Sequence, residues 1–124
     1  MTPIVVTLPL RLVSEANRRG HWSKHSKRTR TQRGIARMAL AGPMHLTRWH
    51  ILMNGGGAIV TMTRIAPRSL DVGDNLNASM KGVRDGVADA LGINDNDPRV
   101  EWRYAQRKGK VREYLCEIKV EAKP

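Results

Sequence analysis

The chain has 124 residues, 40% of them hydrophobic, which suits one domain with a packed core and excludes wholesale disorder. Lys+Arg 22 against Asp+Glu 11 leaves a net charge of +11, which points to a polyanionic partner, nucleic acid before membrane. No apolar run approaches the ~20 residues of a membrane-spanning helix, and the lone Cys116 excludes an internal disulfide and a cysteine zinc site.

Pro3 and Pro9 bracket a short buried strand over residues 3–8. Residues 14–33, SEANRRGHWSKHSKRTRTQR, are crowded with basic side chains against one acid, Glu15, and lack hydrophobic periodicity. They read as an irregular basic arm leading into a helix over 29–41, with Thr29 or Thr31 as N-cap and Gly42-Pro43 as its stop. On that helix Arg30, Arg33 and Arg37 share a face, at spacings of three and four. Residues 44–53 fit either a strand or a helix, and Asn54-Gly55-Gly56-Gly57 is a break. The β-branched residues of 58–66 read as a strand that Pro67 ends.

Leu76, Met80, Val83, Val87 and Leu91 form one apolar stripe at helical period, which predicts a helix over 74–91 stopped by Gly92. Gly82 and Gly86 inside it each cost up to ~1 kcal/mol of helix propensity, so tight packing against a neighbour is expected there. Residues 93–98 are a turn by composition. Residues 99–105 alternate as a half-buried strand, 106–110 make a basic hairpin tip, and 111–121 form the closing strand. The expected architecture is a single α+β domain over 1–124, with a small mixed or mainly antiparallel sheet and two helices.

Charge is distributed unevenly. Residues 1–70 carry twelve Lys and Arg and one acid, whereas all six Asp residues fall between 71 and 97. Short carboxylates gathered in a basic chain suit a hard-cation site, since Mg²⁺ takes one or two carboxylates with waters and phosphate oxygens. They also suit caps and turns. Asp74 can be a first-turn acid on the helix dipole or a metal ligand at a strand–loop–helix junction. Lys81 and Asp85 can be an ordinary i, i+4 pair, or Lys81 can face a scissile phosphate. Asn94-Asp95-Asn96-Asp97 can be turn chemistry, or it can return carboxylates towards Asp71 and Asp74. An unbroken helix would hold 74 and 95 about 25 Å apart, so that return needs a shorter or broken helix, a chain folding back after Gly92, or a second subunit. The His21/His25 and His45/His50 pairs lack the partners of a zinc site, and Gly55-Gly56-Gly57 lacks the residues of a phosphate loop. Cys116 sits mid-strand as a core residue.

Taken in order, LDVGDNLNASMKGVRDGVADALGINDNDPRVEWRYAQRK over 70–108 resembles the core of RusA-type Holliday-junction resolvases, especially bacteriophage and prophage members. An aspartate pair closes on Asp74-Asn75, Lys81-Gly-Val-Arg-Asp85 lies on the helix, and Gly92 precedes the Asp-rich turn and a strand. Val6-Thr-Leu-Pro9, Asn17-Arg18 and the basic run fit the family's N-terminus. Two residues, Val72 and Gly73, separate Asp71 from Asp74, where the family usually has one.

The resemblance implies a homodimeric, Mg²⁺-dependent endonuclease (Mn²⁺ as an alternative) that nicks four-way DNA junctions in pairs, without a small-molecule cofactor or a membrane. Its metal ligands would be Asp71, Asp74 and Asp95, with Asp97 as a substitute, and Lys81 would assist catalysis. Asn17, Arg18, Arg19, Lys24, Lys27, Arg28 and Arg30 would grip the DNA backbone. The setting would be the cytoplasm of a bacterial or phage-infected cell, which agrees with the lone cysteine and with a start, MTPIVVTLPLR, too short for a secretory signal. Two other readings share the charge: a non-catalytic nucleic-acid-binding module, which has no need of the Asp cluster, and a nuclease for branched or flap DNA.

Overall fold

The computed structural model describes residues 3–13, 22–44, 56–70 and 74–124, with the backbone alone for 22–25 and 74. In chain order these form β1 (Ile4–Leu8), α1 (Trp22–Ala41), β2 (Ala58–Ala66), α2 (Asp74–Ser79), α3 (Lys81–Leu91), β3 (Val100–Lys108) and β4 (Leu115–Ala122). The fold is α+β, and its mixed sheet has the order β1-β4-β2-β3. β2 runs parallel to β3 and antiparallel to β4, which in turn pairs antiparallel with β1.

β3 and β4 follow one another in sequence yet do not form the expected hairpin, because β2 lies between them. β2 is buried along nearly its whole length and needs a partner on each edge. β3, with exposed Glu101 and Arg103, suits an outer position. The register Ala66↔Lys108 carries β3 through residues expected in the hairpin tip, so the turn falls at 109–114 instead. In it Arg112 takes a left-handed backbone (φ 63°), and the Gly109 N–H donates to the carbonyl of Ala66, 2.8 Å away.

One face of the sheet makes the core. Val60, Met62, Ile118, Val120 and Cys116 meet Leu76, Met80, Val83, Val87 and Leu91, so the helical stripe read from the sequence is the buried one. Burial raises the Cys116 thiol to about 12, which keeps it a protonated core residue. On the other face Ile59 and Ile65 are also buried; their cross-strand neighbours include Glu101, Glu121 and Arg107, whose long stems can cover them.

The helix expected over 74–91 is broken at Met80. Ser79 Oγ donates to the Leu76 carbonyl at 2.7 Å, and the Met80 N–H donates to the Asn77 carbonyl at 3.1 Å, a tightened last turn that separates α2 from α3. Gly92 ends α3 in a left-handed conformation (φ 72°).

α1 begins at Trp22, earlier than expected, so the second half of the supposed irregular arm is helical. Lys and Arg are good helix formers. The periodicity is faint because the buried face is narrow: Gln32, Ala36 and Leu40, at spacings of four. That face meets the two glycines of α3. A Cβ on Gly82 would lie 2.7 Å from the Thr29 carbonyl oxygen and 2.8 Å from Gln32 Oε1; one on Gly86 would lie 2.7 Å from Ala36 Cβ and would collide with the Arg33 carbonyl. The expected close packing at both glycines is present. Gly86→Ala should therefore destabilise the protein by about 1–3 kcal/mol despite the better helix propensity of Ala, because the two helices must separate; the urea unfolding midpoint measures this, and an unchanged or raised midpoint would contradict the packing argument.

Candidate functional site

The loop that leads to the acidic stretch is clamped from the sheet. Arg64, on β2, is 7% exposed and has no carboxylate partner among the described residues. It donates through Nε to the Leu12 carbonyl (3.0 Å) and through Nη1 to the Arg68 carbonyl (2.6 Å). Burial lowers its pKa, since the charged form is drawn out of water. Next to it in register, Gln106 accepts from the Leu70 N–H (2.9 Å) and donates to the Leu70 carbonyl (2.7 Å). The chain is thus pinned at 12, 68 and 70.

Asp95 is held from the same strand. After Gly92 the chain turns back, and the Asp95 carbonyl accepts from Arg84 Nη2 and from Trp102 Nε1, both at 2.8 Å. Arg84 also donates to the Tyr104 hydroxyl (2.6 Å) and lies over the Trp102 ring, 4.7 Å from its centroid. Arg84 Nε is buried without a hydrogen bond; the Asp95 carboxylate stands 3.5 Å away, an ion pair only. The Asp95 side chain keeps 45% exposure, so its oxygens remain open to a further cation. Trp102, Tyr104 and Gln106 occupy alternate positions of β3 and share one face. Leu70, next to Asp71, and Asp95 are therefore anchored on one strand face, at points about 13 Å apart along it. The fold-back brings the Asp95 carbonyl within hydrogen-bond reach of Arg84, about two turns before the end of α3.

Lys81 opens α3, 3.6 Å from Asp85 and 65% exposed. It is the i, i+4 pair that the spacing allows, with its ammonium largely in solvent. Asp97 belongs to a different group from Asp95. Its carboxylate accepts from Arg99 N–H (2.9 Å), Nε (3.1 Å) and Nη2 (2.8 Å). These bonds lower its pKa to about 2. Asp71, Asn17, Arg18 and Arg19, the region 45–55 and His21 lie outside the described residues, as do the side chains of Asp74, Lys24 and His25. Among the described residues no three His, Cys, Asp or Glu side chains gather as a metal site. Lys27 and Arg28 line an open hollow with Leu10 and Arg11, and Arg30 is exposed one turn on.

Arg84, Trp102, Tyr104, Gln106 and Arg64 are absent from the sequence reading of the site. The signal available was the β3 alternation, which puts Trp and Tyr, each with a polar tip that seeks a partner, on the helix-facing side. The Arg33–Asp89 pair was equally hidden: Nε and Nη2 of Arg33 bind the two Asp89 oxygens at 2.6 and 2.8 Å across 56 residues of chain. That bidentate bond raises the Arg33 pKa and lowers that of Asp89.

No family model matches the chain, and no curated protein matches its sequence. No described helix is long and apolar enough to cross a membrane.

Two outcomes follow from these contacts. Arg84→Ala should lower stability by about 1–3 kcal/mol and speed amide exchange across 93–98, since it removes bonds to Tyr104 and to the Asp95 carbonyl together; unchanged exchange there would show that Trp102 alone holds the turn. The depressed pKa of Asp97 means that its bonds to Arg99 stabilise the fold fully above about pH 4, and that this contribution is lost as pH falls through about 2. Denaturation midpoints of Asp97→Asn should accordingly fall less steeply between about pH 4 and pH 2 than those of the wild type.

Proposed function

We propose that the chain is a RusA-type, Mg²⁺-dependent endonuclease that resolves four-way DNA junctions by paired nicking in recombination and repair. The observation that carries this reading is the return of Asp95 over the β3 face on which Gln106 pins Leu70. A folding back of this kind is what two acidic segments some twenty residues apart would need in order to act together.

The residue types fit the ion: three aspartates, of which Asp95 is half exposed and paired loosely with Arg84. Asp71, Asp74 and Asp95 would hold it, and Mn²⁺ would suit the same oxygens. Bound there, Mg²⁺ supplies an activated water and a polarised phosphoryl oxygen. Lys81, with its ammonium in solvent at the start of α3, offsets charge developing on the phosphate. Arg84 keeps Asp95 in place through its carbonyl, while the carboxylate is half exposed and makes only a long ion pair with the same guanidinium. Asn17, Arg18, Arg19, Lys24, Lys27, Arg28 and Arg30 would contact the DNA backbone without reading sequence, as a structure-selective enzyme requires. Two nicks on opposed strands call for two sites, and a homodimer with a two-fold axis supplies them; a partner subunit could also complete the span between the acidic segments.

Asp74→Asn should reduce nicking of a synthetic four-way junction in Mg²⁺ by more than about a hundredfold while leaving junction binding in EDTA intact. Unchanged nicking would defeat the enzyme reading and leave a basic binding module. Comparison of junction, fork, flap and linear duplex as substrates separates a resolvase from a nuclease for other branched DNA.

A further inference from the structure

Arg33 and Arg37 have no part in the proposed metal centre, yet they form one wall of an open cleft of about 850 Å³ between α1 and the turn after α3. Asp89, Asn94, Asp97 and Arg99 line the rest of its polar surface. Arg33 is fixed on Asp89, and Arg99 on Asp97, each by bidentate bonds that hold the guanidinium still. A guanidinium has five N–H donors, so the Arg33 fork leaves others beside those of Arg37. Arg37, one turn beyond Arg33, is exposed and makes no direct ion pair among the described residues, although its charge acts on Asp89. Among the described lining residues three guanidiniums stand against two carboxylates, which leaves one positive charge over. That balance suits a singly charged phosphodiester better than a dianion.

The course of α1 identifies the ligand further. Thr29 and Gln32 lie against Gly82, and Arg33 and Ala36 against Gly86, so α1 runs alongside α3 in the same direction. Lys27, Arg30, Arg33 and Arg37, at spacings of three and four, thus form a basic ridge from the Lys81 end of α3 to the cleft. The ridge is about 15 Å long, or about four base steps of one DNA strand. A small isolated anion would have no use for that length, whereas a nucleic-acid backbone would.

We propose that the Arg33–Arg37 cleft docks one backbone phosphodiester of bound DNA, about three to four base steps from the Lys81 end of the ridge. The inference rests on the reading that the chain binds DNA, and on neither the metal nor the cutting. The test is binding of a labelled four-way junction and a labelled linear duplex in EDTA, over a range of salt, by the wild type, Arg37→Ala and Lys119→Ala. Lys119 lies on the sheet face away from the core, so its loss removes the same charge from elsewhere. Arg37→Ala should weaken binding roughly tenfold and reduce the slope of log affinity against log salt by about 0.9, the value for one phosphate contact, while Lys119→Ala leaves both near the wild type. If Arg37→Ala matches Lys119→Ala, the cleft proposal fails and the DNA reading stands. If the wild type binds neither DNA, both fail together.

Discussion

The close seating of α1 on the two glycines of α3 is the contact on which the arrangement depends. Gly82 and Gly86 offer no side chain, so the backbone carbonyls of Thr29 and Arg33 approach α3 at distances that any Cβ would forbid. α3 is itself fixed to the sheet by Met80, Val83, Val87 and Leu91. The most basic of the described helices is thereby held closely beside the helix that starts at Lys81 and ends before the Asp-rich turn. A wider spacing would also part Arg33 from Asp89, whose bidentate bond needs the two helices near each other.

A second constraint comes from the sheet. β2 and β3, parallel and adjacent, put the exit of one and the entry of the other at opposite ends, and α2 and α3 cover the distance between them. Polar residues on the core-facing side of these strands hold the irregular segments in place. Arg64 and Gln106 fix the chain ahead of Asp71, while Trp102 directly, and Tyr104 through Arg84, fix the turn at Asp95. The bonds from Arg64, Gln106, Arg84 and Trp102 to the main chain satisfy backbone groups that a loop lying over a sheet would otherwise leave unpaired. Arg64 is the costliest member, a nearly buried cation answered by carbonyl oxygens, and its removal would release two segments at once.

The acidic residues divide by their partners. Asp89 and Asp97 are committed to Arg33 and Arg99, with pKa values lowered by those bonds. Asp95 is tethered mainly by its backbone, and its carboxylate is left half exposed. Metal ligands must exchange a water shell for the ion, so a carboxylate held through its main chain is a better candidate than one already locked in a fork. The structure thus gives Asp95 and Asp97 different surroundings, a difference that two acids two residues apart in one turn do not reveal in the sequence.

Much of the local structure was legible in the residues themselves. The stripe from Leu76 to Leu91 reports its buried face because five large apolar side chains at helical period can be hidden in only one way, and Gly82 and Gly86 on that helix announce a close neighbour because nothing else repays their lost propensity. The span 58–66 and the core placement of Cys116 were equally plain. α1 was read short because its contact face is built of Gln32, Ala36 and Leu40, too small and too narrow to show a period. The order of β2, β3 and β4 was beyond reach, because strand alternation tells which face is buried and says nothing of which strand lies alongside. So too were Arg84 on Asp95 and Arg33 on Asp89: these bonds join residues remote in the chain, and only the packing of helices on the sheet brings such donors and acceptors within 3 Å of each other.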